Sequence, residues 1–348
     1  MANGTITPSR IGQEMSAGAT DALFLKVFAN EVLNAFEESN VMKELHTVRT
    51  ISSGKSAQFP VTGIATAKYH TPGEDVFEMT NGTKYPTAIE HRERVINIDD
   101  VLIAATSVAQ IDELKNHYDV RSVYTTELGR ALAKRFDLAT MRTLVAASHV
   151  DAAARANPDA SQGTVIDLGV TTGAPANVDT AANLIQTFRL IAQTLDEQHI
   201  PSEDRFVILT PALYYLLAGS DNAAINRDVG GVGSIATGSI MELVGLKIYS
   251  SPHVSTITTN EVASDDVNAN NNPFDDADGN SSAKGYLDSG LDVLKFIAGH
   301  KSAIGTVKLL DLAVESEYSM SKQAHLMLAK YAMGHGILRP ECAISVRS

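Results

Sequence analysis

Residues 107–148 decide the fold, and they read SVAQIDELKNHYDVRSVYTTELGRALAKRFDLATMRTLVAAS. Their apolar side chains recur at the spacing of one helix face. This stripe comprises Ile111, Leu114, Tyr118, Leu128, Leu132, Phe136 and Ala139. The basic residues beside or opposite it are Arg121, Arg130, Lys134 and Arg135. Because a helix rises about 1.5 Å per residue, about 40 residues would span about 60 Å. We therefore predict a spine helix over 107–148 beneath a flat body, weakened locally at Gly129.

Upstream of this helix, residues 54–98 have the pattern of a long β-hairpin. Ala57, Phe59 and Val61 alternate with more polar positions, which is strand spacing, and Pro60 favours an edge strand. Turn dipeptides separate this run from a second strand-like run, AIEHRERVINI at 88–98. A lone two-stranded hairpin is marginal in water, so we expect the arm to be ordered on a neighbouring copy. Folding back onto its own domain is the alternative.

The two flanks of the hairpin and spine differ in character. Residues 1–20 are small and polar and indicate a mobile tail, whereas residues 21–36 predict an amphipathic helix that includes Phe24 and Phe28. The C-terminal half alternates short apolar runs with helical ones, as in RFVILT at 205–210 followed by PALYYLLAGS at 211–220. Residues 260–280 contain six acids, six asparagines and no Lys or Arg, which predicts an exposed acidic loop within 254–285.

The bulk composition narrows the class of protein. Of 348 residues, 44% are hydrophobic, so the chain can build a core, yet aromatics are only 6% and Trp is absent. A net charge of −13 argues against tight general binding of DNA, whose readers are usually basic. Cys342 is the only cysteine, which excludes an intrachain disulfide and fits a reducing cytoplasm. No apolar run has the length of a signal peptide or a membrane span.

Motifs for chemistry are incomplete in this sequence. Gly54-Lys55-Ser56 resembles the end of a phosphate-binding loop, but Arg49 stands where its first glycine is required. Gly231, Gly233 and Ala236 fit a loose dinucleotide pattern without the strand that should precede it. The DDADGN run lacks both terminal ligands of a calcium loop. We predict no catalytic, cofactor or metal site, and a buried structural thiol at Cys342.

Seven segments resemble the major capsid proteins of T-seven-like short-tailed phages, the autographivirus group. They are ALFLKVFANEVLNAF (22–36), VRTISSGKSAQFPVTG (48–63), PGE (72–74), NHYDVRSVYTTELGRALA (116–133), GLKIYSSPHV (245–254), HKSAIGTVKLLDLAVE (300–315) and AKYAMGHGILRPE (329–341). They occur in the family's order along most of the chain, while 150–200 matches weakly. The resemblance implies an α+β fold of the Hong Kong 97 capsid type and a self-assembling shell protein, without enzymatic activity.

The resemblance also implies a domain division and a set of partners. The expected segments are an N-terminal arm (1–53), an E-loop hairpin (54–98), a P domain with the spine helix (99–200), an A domain with the acidic loop (201–314) and C-terminal return strands (315–348). The partners would be other copies in hexamers and pentamers, scaffolding protein, portal and enclosed DNA, in a virion assembled in the bacterial cytoplasm. Candidate contacts between subunits, chosen for position, are Phe24, Phe28, Lys55, Phe59 and Arg92.

Two other functions stay open at this point. A cellular nanocompartment of the encapsulin type would share the fold but enclose enzymes instead of a genome. A cytoplasmic α+β enzyme would be a monomer or small oligomer with a deep pocket. The contents of purified particles separate the first alternative from a capsid, and sedimentation separates the second.

Overall fold

A computed structural model describes residues 40–62, 69, 72, 91–98, 101–110, 120–150, 162–218, 242–254 and 294–348. Within these ranges the helices are α1 (Val120–Ser148), α2 (Ala181–Glu197) and α3 (Pro211–Ala218). The strands are β1 (Thr47–Thr50), β2 (Ser56–Thr62), β3 (His91–Asn97), β4 (Leu102–Ala109), β5 (Thr164–Asp167), β6 (Arg205–Leu209), β7 (Glu242–Leu243), β8 (Leu246–Ser250), β9 (Leu294–His300), β10 (Ile304–Ser319), β11 (Ala324–Ile337) and β12 (Ala343–Arg347). Helices and sheets mix, so the α+β prediction is confirmed.

The central helix α1 confirms most of the predicted spine and corrects its start. Its 29 residues span about 43 Å, and the stretch from Thr140 to Ser148 is buried throughout. Residues 107–109, predicted as helix, belong instead to β4. The residues of β4, LIAATSVA, alternate between more and less buried positions and pair with β11, so this stretch forms a strand instead of a helix. Residues 111–119 lie outside the described part.

Two sheets enclose α1. The four-stranded sheet has the order β1-β10-β11-β4, in which β10 and β11 form a long antiparallel pair and β1 runs parallel to β10. The six-stranded sheet has the order β5-β12-β9-β6-β8-β7. On it packs the predicted helix α2, where the rings of Phe188 and Phe296 meet edge to face at 5.9 Å. The RFVILT strand is confirmed as β6, with all five residues buried.

These sheets cut across the predicted segment boundaries. The six-stranded sheet takes β5 from the segment 99–200, β6 to β9 from 201–314, and β12 from 315–348. A side-chain ion pair between Asp167 and Arg347 and a 2.8 Å hydrogen bond from Ser148 Oγ to Ser345 Oγ fasten β12 to β5 and α1. The C-terminus is therefore a structural member of this sheet, and the domain division stays a prediction.

The predicted hairpin is present as a separate two-stranded sheet of β2 and β3, with register from Ser56↔Asn97 to Thr62↔His91. Other predicted features lie outside the described residues: the helix at 21–36, the glycine run at 231–236 and the acidic loop beyond Val254. No helix in the described ranges is long and apolar enough to cross a membrane.

Candidate assembly site

The base of the β2–β3 hairpin is fixed to the body of its own chain. Ile96 is 2% exposed and Ala57 is 6% exposed, and both pack with Val307 of β10 in a small separate core. We call this cluster the hairpin foot. The amide of Ile98 donates to the carbonyl of Lys55 at 2.9 Å, which extends the ladder below the two strands. The base of the arm is therefore supported by its own chain, whereas the docking of the arm on a neighbouring copy stays a prediction.

Three glycines let the foot approach so closely. A Cβ on Gly334 would collide with the carbonyl oxygen of Asn97, and one on Gly336 would lie 2.6 Å from Cγ1 of Ile96. A Cβ on Gly305 would lie 2.8 Å from Cδ1 of Leu338 and 3.3 Å from Cδ1 of Ile96. We call Gly305, Gly334 and Gly336 the glycine floor. Because these residues have no side chain, β3 crosses almost in contact with the backbone of β11.

The opposite face of the hairpin is exposed to solvent. Gln58 and Glu93 bond across it at 3.3 Å, and Val95 is 48% exposed beside them. Arg49 of β1 donates to the carbonyl of Gln58 at 3.1 Å, and its guanidinium lies 5.5 Å from the centre of the Phe59 ring. The hairpin root thus combines a docked apolar face with a polar, charged outer face.

The predicted contact residues separate into two groups. Lys55 is exposed at the bend that precedes β2, and Phe59 is half-buried against the hairpin foot. Arg92 stands in β3 opposite Val61. The structure therefore brings Lys55, Phe59 and Arg92 onto one hairpin, whereas Phe24 and Phe28 lie outside the described residues. All five remain predictions as intersubunit contacts.

A second cluster fixes the place where the N-terminal segment joins the body. Asp137 of α1 is fully buried, and its carboxylate accepts the backbone N–H groups of Val41 at 3.0 Å and Met42 at 3.2 Å. These amides begin the short 3-10 turn Met42–Glu44. Burial raises the pKa of Asp137 to about 6, against the lowering effect of the two amides. The carboxylate thus satisfies the backbone donors of the half-buried Val41 and the buried Met42 and holds the turn against the spine.

The same cluster contains a directed chain of hydrogen bonds. His46 Nδ1 lies 2.5 Å from the carbonyl of Met42, so this nitrogen carries the proton. His46 Nε2 must then accept from the hydroxyl of Thr306 at 2.8 Å. That oxygen in turn accepts from His335 Nδ1 at 2.8 Å. Burial lowers the pKa of His46 to about 4 and that of His335 to about 3, so both imidazoles are neutral at pH 7.

We call Val41, Met42, His46, Asp137, Thr306 and His335 the N-terminal anchor. The ring of Phe136 packs against both imidazoles, with its centre 5.7 Å from that of His46 and 5.2 Å from that of His335. Sequence reasoning missed this cluster because its members come from positions 41 to 335 and have no local spacing. The one signal was polar side chains, His335 and Thr306, inside otherwise apolar strand runs.

The predicted structural role of Cys342 agrees with its surroundings. The residue is 2% exposed, and its Sγ lies 3.4 Å from the hydroxyl of Ser302. Burial raises the pKa of the thiol to about 11, so it stays protonated at neutral pH. The thiolate required of a reactive cysteine is therefore scarce here.

Replacing Asp137 by alanine should loosen the N-terminal segment. The amides of Val41 and Met42 would lose their acceptor, which costs about 1–3 kcal/mol for a buried orphaned group. The cost of burying the Asp137 charge is relieved at the same time. We expect a net loss of about 2 kcal/mol and faster protease cleavage before residue 46, measured by urea unfolding and limited proteolysis. Asp179→Ala, at an exposed position, is the control. Equal cleavage rates in both variants would contradict the anchor.

Comparison with known proteins gives consistent matches along the chain. A family model described as "Gp10A-like: Major capsid protein" matches residues 58–347. The major capsid protein of Escherichia phage T7 is 36% identical over 337 residues, which are 95% of this chain and 93% of that protein. The capsid structure of the cyanophage P-SCSP1u has 36% identity and a TM-score of 0.68 and covers 99% of both chains. The mature capsid of bacteriophage PhiM1 has a TM-score of 0.64 over 88% of this chain and 86% of its own, and at 17% identity it shows the fold alone.

Proposed function

The chain belongs to the major capsid protein family of T7-like phages and has the Hong Kong 97-like fold of its capsid relatives, and we propose that its copies close through hexamers and pentamers into an icosahedral shell around double-stranded DNA. The resemblance predicted from sequence is thereby confirmed, and the protein is a component of the virion. Its role is structural, and we propose that it catalyses no reaction.

The observation that supports the assembly mechanism best is the rooted hairpin. Its foot is anchored on the glycine floor, so β2 and β3 leave the body in a fixed direction. Their outer face presents Gln58, Glu93 and Val95. We propose that residues 63–90 between the strands engage an adjacent copy, with Lys55, Phe59 and Arg92 near the root. Single contacts can be weak, because a lattice raises the effective concentration for each further contact.

The remaining partners follow from family membership and charge. We propose that scaffolding protein guides closure and that a portal occupies one vertex. The DNA would be enclosed without sequence-specific binding, which agrees with a net charge of −13. We also propose the division into N-terminal arm, E-loop, P domain and A domain for this chain, with α1 as the spine of the P domain.

Deleting residues 64–86 should abolish closed particles and leave a folded, dispersed subunit. The foot and both sheets would persist because the deletion removes none of their residues. Negative-stain microscopy and sedimentation would measure particles, and circular dichroism would measure folding. Deleting residues 258–280, which removes the same length of chain, is the control and should still give shells. Normal shells from the 64–86 deletion would contradict the arm as a connector.

The contents of the particles decide between a capsid and a nanocompartment. A capsid should contain nuclease-protected double-stranded DNA after infection, whereas a nanocompartment should contain a second protein in fixed ratio. Extraction of purified particles followed by gel analysis of nucleic acid and protein measures both. Protein cargo without DNA would contradict the proposal.

A further inference from the structure

The strand β4 forms a sheet edge that lacks the usual protection. It runs for eight residues, LIAATSVA, without a charge, a proline or a glycine. Natural edges are kept short or carry charges and prolines, because their free backbone groups invite pairing with another strand. β1, the other edge of the same sheet, has four residues including Arg49, and the hairpin strand β2 contains Pro60. In the six-stranded sheet, the edges β5 and β7 have four and two residues.

The backbone geometry shows which groups of β4 are free to pair. The amide of Gln110 donates to the carbonyl of Gln323, and the register continues without a shift from Ala109↔Ala324 to Leu102↔Tyr331. Bonded and non-bonded pairs alternate in an antiparallel ladder, so even-numbered residues bond to β11. The N–H and C=O groups of Ile103, Ala105 and Ser107 therefore point away from it. Among the described strands, β4 pairs with β11 alone.

The first part of β4 carries apolar side chains on its exposed face, at Ile103 and Ala105, before the polar Ser107, and Lys330 of β11 stands opposite Ile103. Ile103 is 54% exposed and Val101 is 47% exposed. Across the ladder, the half-buried Leu328 stands opposite Ala105 and extends this apolar surface onto β11. An added strand would thus gain main-chain hydrogen bonds at the edge and apolar contact on the adjoining face, the two components of recognition by strand addition.

We propose that β4 is a strand-addition site for a second copy of this chain. The inference rests on the proposed shell function, in which other copies are the neighbours on every side. Continuity with the hairpin root supports this occupant, because the end of β3 at Asn97 lies over Gly334 of β11 and Leu102 of β4 pairs with Tyr331, three positions along the same strand. A neighbour that grips the hairpin root therefore reaches the open edge of β4 next. Solubility of the free subunit and closure of the shell would both depend on this edge.

Amide hydrogen exchange on the full-length chain tests the proposal with an internal control. In the dispersed subunit, the amides of Ile103, Ala105 and Ser107 should exchange quickly, while those of Ala104 and Thr106 are protected by β11. In closed particles that contain only this chain, the exchange rates of the Ile103, Ala105 and Ser107 amides should fall by at least about tenfold. Protection already present in the subunit would mean that its own chain covers the edge and would overturn the proposal. Fast exchange in intact shells would overturn it while leaving the shell function standing.

A pair of adjacent proline variants gives a second test. Ala105→Pro removes an outward N–H and keeps the ladder, so the subunit should fold and particle yield should fall by about tenfold or more. Ala104→Pro removes an N–H that bonds to β11 and should instead lower the stability of the subunit itself. Sedimentation measures particles and urea unfolding measures the subunit. Wild-type particle yield from Ala105→Pro would overturn the proposal.

Discussion

Replacing Gly334 by alanine should release the hairpin foot and destabilise the subunit by about 3 kcal/mol, at the upper end of the range for overpacking. The new methyl group would meet the carbonyl oxygen of Asn97, and backbone cannot turn aside as a side chain can. The strand β3 must therefore lift off β11, which also exposes Ile96. A lower urea midpoint and faster proteolysis within the hairpin measure the effect. Unchanged values for both would show that the foot is not seated on this glycine.

The companion variant Gly336→Ala provides a matched control, because its obstacle is a side chain. The added Cβ would lie 2.6 Å from Cγ1 of Ile96, and trimming Ile96 to alanine removes that atom. Ile96→Ala alone should cost about 2–5 kcal/mol through the cavity it leaves. The double variant should then be less destabilised than the sum of the single ones, a coupling of about 1 kcal/mol or more. In Gly334→Ala, by contrast, trimming Ile96 leaves the clash with the carbonyl oxygen of Asn97 in place.

Local patterns were sufficient to predict several elements of this fold. The stripe through Leu128, Leu132 and Phe136 predicted α1, and the alternation around Phe59 predicted β2. The error at residues 107–109 has a physical cause: a short apolar run such as LIAATSVA satisfies strand and helix spacing equally well, and pairing with β11 decides between them. Tertiary contacts that form between distant segments are invisible to such patterns.

The candidate site shows the same limit more clearly. Gly334 and Gly336 stand out in the sequence only as interruptions of a strand, and their purpose depends on Asn97 and Ile96, more than 200 positions earlier. The hydrogen bond between Thr306 and His46 joins residues 260 positions apart. Positional reasoning therefore found the hairpin root with Lys55 and Phe59 but could find neither the floor that supports it nor the anchor beside it.

Acid should destabilise the subunit through the N-terminal anchor. In the unfolded chain, each imidazole becomes protonated below about pH 6.5. In the folded chain, His46 becomes protonated only below about pH 4 and His335 only below about pH 3. The stability contributed by the two neutral imidazoles is therefore fully present above about pH 6.5 and is lost as the pH falls. A proton on His46 Nε2 would turn this nitrogen from an acceptor into a donor and so reverse its hydrogen bond with Thr306. The positive charges of Lys301 and Lys308 also disfavour a protonated His46. Asp137 acts in the other direction, because its raised pKa means that folding favours its protonated form.

The magnitudes decide the sign of the net effect. Between pH 7 and pH 5, the protonation equilibrium of His46 should lower the free energy of unfolding by about 2 kcal/mol, and that of His335 by at most about 2 kcal/mol more. That of Asp137 should raise it by about 1 kcal/mol. Urea unfolding of the dispersed chain at several pH values should therefore show a net loss of about 2–3 kcal/mol. The variant His46→Gln should be less stable at pH 7 but should lose less stability on acidification. His199→Asn is the control and should keep the wild-type dependence of stability on pH. His199 is exposed and has a positive φ of 57°, which asparagine tolerates. A wild-type slope in His46→Gln would show that the buried imidazole does not carry the acid response.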